Sequence, residues 1–193
     1  MSQKAHQLEF SSILFDTLFG LIIFFNLENF LQIKEPLHFF FYLLSVFIVV
    51  HWWLMFKSTD DNYGIEASFS VVDLLMGIGY IVSLAYFVNF ASEFLLVKAV
   101  FALVVLFVLE LTWSLAWQYI GKWHTKNKNA IKKMEWELNV TIITDVVVLV
   151  LLAILWLVGS LISAPVFVGI FLAIYALYVY LTFHYKMISF QIF

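Results

Sequence analysis

The chain has 193 residues, of which 64% are hydrophobic and only 12% are charged, and its mean hydropathy is +1.01. A soluble domain needs about a quarter of its residues charged, so this composition excludes soluble enzymes, secreted modules and disordered tails, and indicates a membrane protein. The chain has no cysteine for disulfide or thiolate chemistry. Its ten cationic side chains are all lysines and its net charge is -3, which leaves no basic surface for nucleic acid.

Six apolar stretches are long enough to cross a bilayer as helices, for which about 20 residues are needed. They predict an all-α integral membrane protein, a single domain of six transmembrane helices in three loose hairpins, at residues 10–33, 37–56, 69–90, 94–120, 140–162 and 165–185. The first stretch lacks the charged start and small-residue cleavage site of a signal peptide, so we expect a retained helix.

The lysines predict the orientation of the chain. Half of them lie in the predicted linker 121–137, and lysine is retained in short cytoplasmic loops. We therefore expect the N- and C-termini to be cytoplasmic. The use of lysine alone, together with richness in Phe and Ile, is typical of an AT-rich prokaryotic genome, so the expected location is a prokaryotic cytoplasmic membrane.

The first predicted helix is polar at its inner end and apolar through its middle. On a 3.6-residue period one face consists of Asp16, Phe19, Gly20, Ile23 and Leu27. Such a face is typical of a pore lining, with an acidic mouth and an apolar constriction that gates by dewetting. Ordinary helix packing, with Gly20 permitting close approach, explains the same pattern. Six helices leave little room for a pore in one subunit, so the pore interpretation predicts a homo-oligomer, a dimer or a tetramer.

The second and fourth predicted helices each end in a pair of tryptophans followed by a lysine. The pairs are Trp52 with Trp53 and Trp113 with Trp117. Amphipathic rings settle at the membrane surface, which favours anchoring, and aromatic packing between helices is the alternative. His51 precedes the first pair and lies deeper than a residue of a surface belt, where it can titrate near neutral pH.

Ionisable residues at bilayer depth are costly, so each one carries a functional hypothesis. Besides Asp16, we predict an intramembrane polar layer made of His51, Asp73, Glu110 and Asp145. Asp73 and Asp145 fall near predicted helix starts, where free N–H groups and the helix dipole stabilise a carboxylate without any function. That explanation does not apply to Glu110, for which the alternative is a protonated or His-paired carboxyl that packs helices together.

Catalytic motifs are missing from the sequence. There is no HExxH, GxSxG or GxGxxG motif, no phosphate-binding loop and no pair of histidines at metal-ligand spacing. The sequence therefore predicts no enzyme, no metal site and no cofactor. The expected partners are a monovalent cation, membrane lipid and further copies of the chain, and no nucleic acid.

Four stretches carry a family resemblance: Asp16 to Ile23 (DTLFGLII) with Leu27-Glu28, Tyr42 (YLLS) through Trp53, Leu74 through Leu84, and Trp113 to Tyr119 (WSLAWQY). They are similar to the first four helices of the lysosomal and prokaryotic potassium channels called transmembrane protein one-seventy-five. The prokaryotic members of that family are single six-helix units of similar size.

The resemblance implies a first helix that lines the pore, with Ile23 and Leu27 as candidates for the constriction and Asp16 as an inner acid. Potassium selectivity would then come from a hydrophobic ring. The family signature of Arg, three residues and Phe-Ser-Asp is matched only at Asp16, because Phe, Leu and Phe stand at positions 10, 14 and 15. The usual His pair near the end of the second helix is also missing.

Three functions follow from these features. The first is an oligomeric cation channel, for potassium by resemblance, with its pore lined by the first helix. The second is a proton-coupled carrier or proton pathway that uses the buried carboxylates and His51. The third is a non-transporting scaffold or signalling protein whose lysine-rich linker engages anionic lipid or a partner.

Overall fold

All regular elements within the described residues of the computed structural model are helices. The structure describes residues 16–24, 26, 30–31, 33–63, 71–120 and 128–192, with side chains at 16–24, 26, 30–31, 33–54, 75–116, 118 and 135–184. The helices are α1 at residues 16–24, α2 at Pro36–Tyr63, α3 at Val71–Ser92, α4 at Leu96–Ile120, α5 at Lys128–Val158 and α6 at Ala164–Ile192. The prediction of an all-α protein is confirmed at this level.

Within the described residues, five helices contain a stretch long and apolar enough to cross a membrane. These stretches are Pro36–Leu54, Leu75–Ser92, Leu96–Ala116, Glu135–Leu161 and Ala164–His184. In lipid a helix satisfies all its own backbone hydrogen bonds, which is why these apolar sequences form helices. The chain is therefore an integral membrane protein. Much of the first predicted span, residues 10–33, lies outside the described residues.

The predicted start of the fifth helix is wrong. Residues 121–137 were expected to form a linker, yet α5 already begins at Lys128. Hydropathy marks only the apolar part of a helix, whereas Ala, Lys, Met and Glu in this segment are good helix formers that extend α5 beyond it. Likewise, α6 continues to Ile192, beyond the predicted end at residue 185.

The chain divides into two compact units, Met1–Ala102 and Leu103–Phe193, and α4 contributes residues to both. In the first unit α2 packs against α3. The rings of Phe41 and Phe87, both fully buried, meet edge to face with their centroids 6.4 Å apart. This packing fixes the two helices through interlocking aromatic side chains.

A tight turn joins α3 to α4 in the same unit. The N–H of Leu95 donates to the carbonyl of Phe90 at 2.8 Å, and the N–H of Phe94 donates to that of Ala91 at 3.1 Å. These bonds form a Schellman motif, whose left-handed position usually holds glycine. Here it holds Phe94 at φ 57°, and the ring contacts that of His38 at 4.9 Å between centroids.

In the second unit α5 and α6 form a hairpin through a 3-10 turn at Gly159–Leu161 and pack against each other. Buried residues recur at intervals of three and four along each helix, which is the spacing of one continuous helix face. We call this set the apolar seam: Val148, Leu152 and Leu155 on α5, and Phe167, Phe171 and Ile174 on α6. Polar residues follow the seam toward the start of α5 and the end of α6.

Candidate functional site

A carboxyl group continues the apolar seam on α5. Asp145 precedes Val148 by one turn and therefore lies on the same buried face. Its side chain is 1% exposed, and neither of its carboxyl oxygens has a hydrogen-bond partner within the described part of the chain. An ionised carboxylate in such a place costs several kcal/mol. Burial of this group therefore opposes stability and favours a functional role.

The helix-dipole explanation for Asp145 is wrong. Because α5 begins at Lys128, Asp145 lies deep inside the helix rather than in its first turn. Free N–H groups and the dipole effect are confined to the terminal turn. Asp73, by contrast, does lie in the first turn of α3, which starts at Val71. Its side chain is outside the described ones, so the dipole interpretation of Asp73 stays a prediction.

Two carboxyl groups of the second unit interact electrostatically with a tyrosine on α6. Glu110 of α4 and Asp145 of α5 both interact electrostatically with the phenol of Tyr178. Tyr178 is 2% exposed, and its side chain is hydrogen-bonded to that of Thr182, one turn further along α6. The ring of Phe107 packs edge-on against it, with the centroids 5.2 Å apart. We call Glu110, Asp145 and Tyr178 the carboxyl–phenol cluster.

The carboxyl–phenol cluster concentrates acidic groups. Its three members all carry acidic groups, and a fourth, the phenol of Tyr175, also interacts with Tyr178. The rings of Tyr175 and Tyr178 lie 6.3 Å apart between centroids. Each negative charge placed here makes the next one more costly.

The predicted inner acid of the first helix has a partner within its own unit. The indole Nε1–H of Trp53 on α2 donates to Oδ1 of Asp16 on α1 at 2.7 Å. A hydrogen bond to a charged group is stronger than one between neutral groups. Asp16 therefore links α1 to α2 through a hydrogen bond.

The other predicted pore-lining residues are buried to different degrees. Phe19 is 5% exposed and belongs to the core of the first unit, and Ile23 is half-buried. Gly20 is exposed, and a Cβ added to it would meet no heavy atom within 4 Å. Among the described residues no neighbour closely approaches Gly20, so close helix packing at Gly20 stays a prediction. Leu27 lies outside the described residues.

The structure gives contacts within the chain for the first of the two predicted tryptophan pairs. Trp52 is buried, with its ring 6.2 Å from that of Tyr80 on α3, and Trp53 binds Asp16 as described above. Trp113 is half-buried, and the side chain of Trp117 lies outside the described ones. Packing within the chain thus accounts for the first pair at least in part.

Two members of the predicted polar layer belong to the second unit. Glu110 and Asp145 both interact electrostatically with Tyr178 there. Asp16 and the half-buried His51 belong to the first unit, and the side chain of Asp73 is not described. A single layer made of all five residues stays a prediction.

Sequence reasoning missed Tyr178, although a signal for it is present. Tyr178 follows Phe167, Phe171 and Ile174 at the same alternating interval of four and three residues, so it lies on the buried face of α6. In a hydropathy pattern tyrosine counts as one more aromatic residue, and its hydroxyl does not stand out. Only the position of Glu110 and Asp145 beside it makes the hydroxyl significant.

Within the part of the chain that the structure describes, no group of three or more His, Cys, Asp or Glu side chains is placed to hold a metal ion. No family model, curated protein or solved structure matches the chain. Function is therefore inferred from the chemistry of the carboxyl–phenol cluster.

Proposed function

We propose that this protein is a proton-coupled membrane carrier or proton pathway in which Asp145 and Glu110 bind and release protons. The observation that carries the proposal is the carboxyl of Asp145, buried inside a membrane-spanning helix without a hydrogen-bond partner among the described residues. Ionisable residues in such positions mark proton and ion routes through membrane proteins.

Protonation of Asp145 would couple to helix packing. The neutral carboxyl is compatible with the apolar residues that follow it on α5, namely Val148 and Leu152, whereas the charged carboxylate is not. A ligand shifts a conformational equilibrium by its difference in affinity for the two states. A proton bound to Asp145 therefore favours the tightly packed arrangement of α5 and α6, and its release favours an arrangement that hydrates the carboxylate.

Flux measurements on the full chain in liposomes test the proposal. Proton, potassium and sodium fluxes are compared in one preparation, with a pH-sensitive dye inside the vesicles. Asp145→Asn keeps the shape of the side chain but cannot exchange a proton, so we expect proton flux to fall to that of empty liposomes. Glu35→Gln, which changes an exposed carboxyl outside the membrane stretches, is the matched control and is expected to retain flux. Wild-type flux in Asp145→Asn would overturn the proposal.

A cation channel is the second candidate, and the exposed side of α1 favours it. Thr17, Gly20, Leu21 and Phe24 are exposed there at helical spacing, and the open space around Gly20 suits close approach of a second copy. The resemblance of the first four helices to a potassium-channel family supports potassium as the ion.

Planar-bilayer recording distinguishes this candidate from the first. In a homo-oligomeric pore lined by α1, Ile23→Asn would hydrate the constriction and raise or alter the conductance. Absence of current from the purified protein under every ion gradient would rule out the channel. Proton flux abolished by Asp145→Asn but unchanged by Ile23→Asn would favour the carrier.

We further propose a prokaryotic cytoplasmic membrane as the location, with both termini in the cytoplasm. The support is the concentration of lysines in the segment 121–137 and the exclusive use of lysine as cation. Because the chain has no cysteine, single cysteines introduced at Lys34 and Lys126 can be labelled with a membrane-impermeant maleimide on intact cells. Labelling at position 34 but not at position 126 is expected, and the reverse would invert the topology.

A further inference from the structure

We infer that a polar stripe on α4 forms a one-sided path from the membrane boundary to Asp145, with Glu110 as the group that passes protons to it. This inference rests on the proposed function, because it assigns the route by which the proposed proton site is filled.

The polar stripe consists of Glu110, Ser114 and Gln118. They are spaced four residues apart and therefore share one face of α4. Ser114 is buried, whereas Gln118 lies at the exposed end, where its amide donates to Oδ1 of Asn139 on α5 at 2.6 Å. The stripe thus runs from the amide pair of Gln118 and Asn139 to the half-buried carboxyl of Glu110.

Hydroxyl groups on the two neighbouring helices lie toward the same end of the unit. Thr141 precedes Asp145 by one turn of α5, and Thr182 follows Tyr178 by one turn of α6. Both threonines are half-buried. Three helices therefore each place a polar side chain between the carboxyl–phenol cluster and this end of the unit, which suits a short chain of ordered water.

The opposite side of the carboxyl–phenol cluster is mostly apolar. Beyond Asp145 the facing positions are Val148 and Leu152, and beyond Tyr178 they are Ile174 and Phe171, all of them buried and apolar. The half-buried phenol of Tyr175 also lies on this side, next to Tyr178. Apolar walls offer water no hydrogen bonds and do not carry protons. Among the described residues of α5 and α6, the polar path therefore ends at Asp145, Tyr178 and the adjacent Tyr175, beyond which the facing positions are apolar.

Burial sets the order of the two carboxyls along the path. Glu110 is half-buried, whereas Asp145 is 1% exposed, so water reaches Glu110 more readily than Asp145. In the transfer step the O–H bond of protonated Glu110 breaks and an O–H bond forms on the Asp145 carboxylate. The resulting Glu110 carboxylate regains a proton from water along the polar stripe.

Time-resolved infrared spectroscopy of the full chain in lipid nanodiscs tests this order. A caged acid releases protons on a light flash, and the carbonyl stretch of protonated Asp145 is identified as the band that Asp145→Asn lacks. In Glu110→Gln we expect the same final amplitude of that band but a rise about 100-fold slower, the lower end of what a positioned proton donor contributes. Added azide, a small proton carrier, is expected to restore the rate in Glu110→Gln.

One serine variant and one threonine variant on α4 compare the loss of a hydroxyl inside the polar stripe with the loss of one outside it. Ser114→Ala removes a hydroxyl from the polar stripe and is expected to slow the rise of the Asp145 band several-fold. Thr112→Ala removes an exposed hydroxyl on another face of α4, which bonds only to the Val108 carbonyl at 2.7 Å among the contacts described, and it is expected to leave the rate unchanged.

The outcomes separate this inference from the proposed function. Wild-type rates in both Glu110→Gln and Ser114→Ala would overturn the path while leaving Asp145 as a proton-binding group. A spectrum in which Asp145→Asn lacks no band would overturn the proposed function itself. A slow Glu110→Gln that azide does not rescue would show that the variant disturbs the fold around Asp145, which also overturns the assignment of Glu110 as the donor.

Discussion

Asp145→Val is expected to make the protein more stable and to abolish proton transport. Removing a buried polar group without a hydrogen-bond partner recovers about 1–3 kcal/mol. The valine side chain extends the apolar seam, and burying it is worth about 1.5 kcal/mol, of which about 1 kcal/mol is offset by repacking around the branched side chain. We therefore expect the free energy of unfolding to rise by about 2 kcal/mol, which shifts the unfolding equilibrium about 30-fold.

Unfolding by sodium dodecyl sulfate in mixed micelles, followed by far-ultraviolet circular dichroism, measures this change. Glu35→Gln is the control, because an exposed substitution is expected to stay within about 0.5 kcal/mol of wild type. Proton flux into liposomes is measured on the same preparations. A variant that is stabilised yet inactive is the pattern expected of a site that sacrifices stability for function. A loss of more than about 1 kcal/mol in Asp145→Val would refute the reasoning, since it would mean that the carboxyl makes a stabilising contact.

The same unfolding assay tests three contacts of the first unit. Phe94→Gly is expected to be about 1 kcal/mol more stable than Phe94→Ala, because both lose the ring but only glycine tolerates φ 57° without strain. Trp53→Phe is expected to cost about 1.5 kcal/mol, since it removes the 2.7 Å hydrogen bond to Asp16. Tyr42→Phe is expected to cost about 1 kcal/mol, because its buried hydroxyl donates to the Asn26 carbonyl at 2.9 Å.

Each of these three expectations has a contrary result. Equal stability of the glycine and alanine variants at position 94 would mean that the turn relaxes away from the left-handed conformation. For Trp53→Phe, the double variant with Asp16→Asn is measured as well. If the losses in unfolding free energy of the two single variants add up to that of the double variant, the two side chains are not coupled. An unchanged Tyr42→Phe would mean that water replaces the hydroxyl at the Asn26 carbonyl.

The membrane helices were predictable because lipid offers no partner to backbone polar groups. A stretch can cross a bilayer only as a helix or as part of a closed barrel. Leu96–Ala116 and Ala164–His184 are apolar over about 20 residues, the length that a spanning helix needs, so their sequences predict helices. The helix ends were less predictable. At Lys128 and Ile192 the helices extend beyond their apolar stretches, so hydropathy does not mark where they end.

The interpretation of Asp145 depends on where α5 begins. A span that begins at residue 140 places Asp145 near a helix start, where its charge needs no further explanation. A helix that begins at Lys128 places the same residue in the interior, where the terminal dipole does not act. The chemistry of the residue was visible in the sequence, but the cost of its burial was not.

Composition and hydropathy by themselves determined that this chain lives in a bilayer, which stretches are helical, and that Glu110 and Asp145 lie at membrane depth. They did not determine that both carboxyls interact with the phenol of Tyr178. Hydropathy sets the depth of a residue along its own helix, whereas the rotation of each helix and the choice of its neighbours depend on how side chains interlock between helices. That interlocking, along the apolar seam of α5 and α6, is what only the tertiary structure decided.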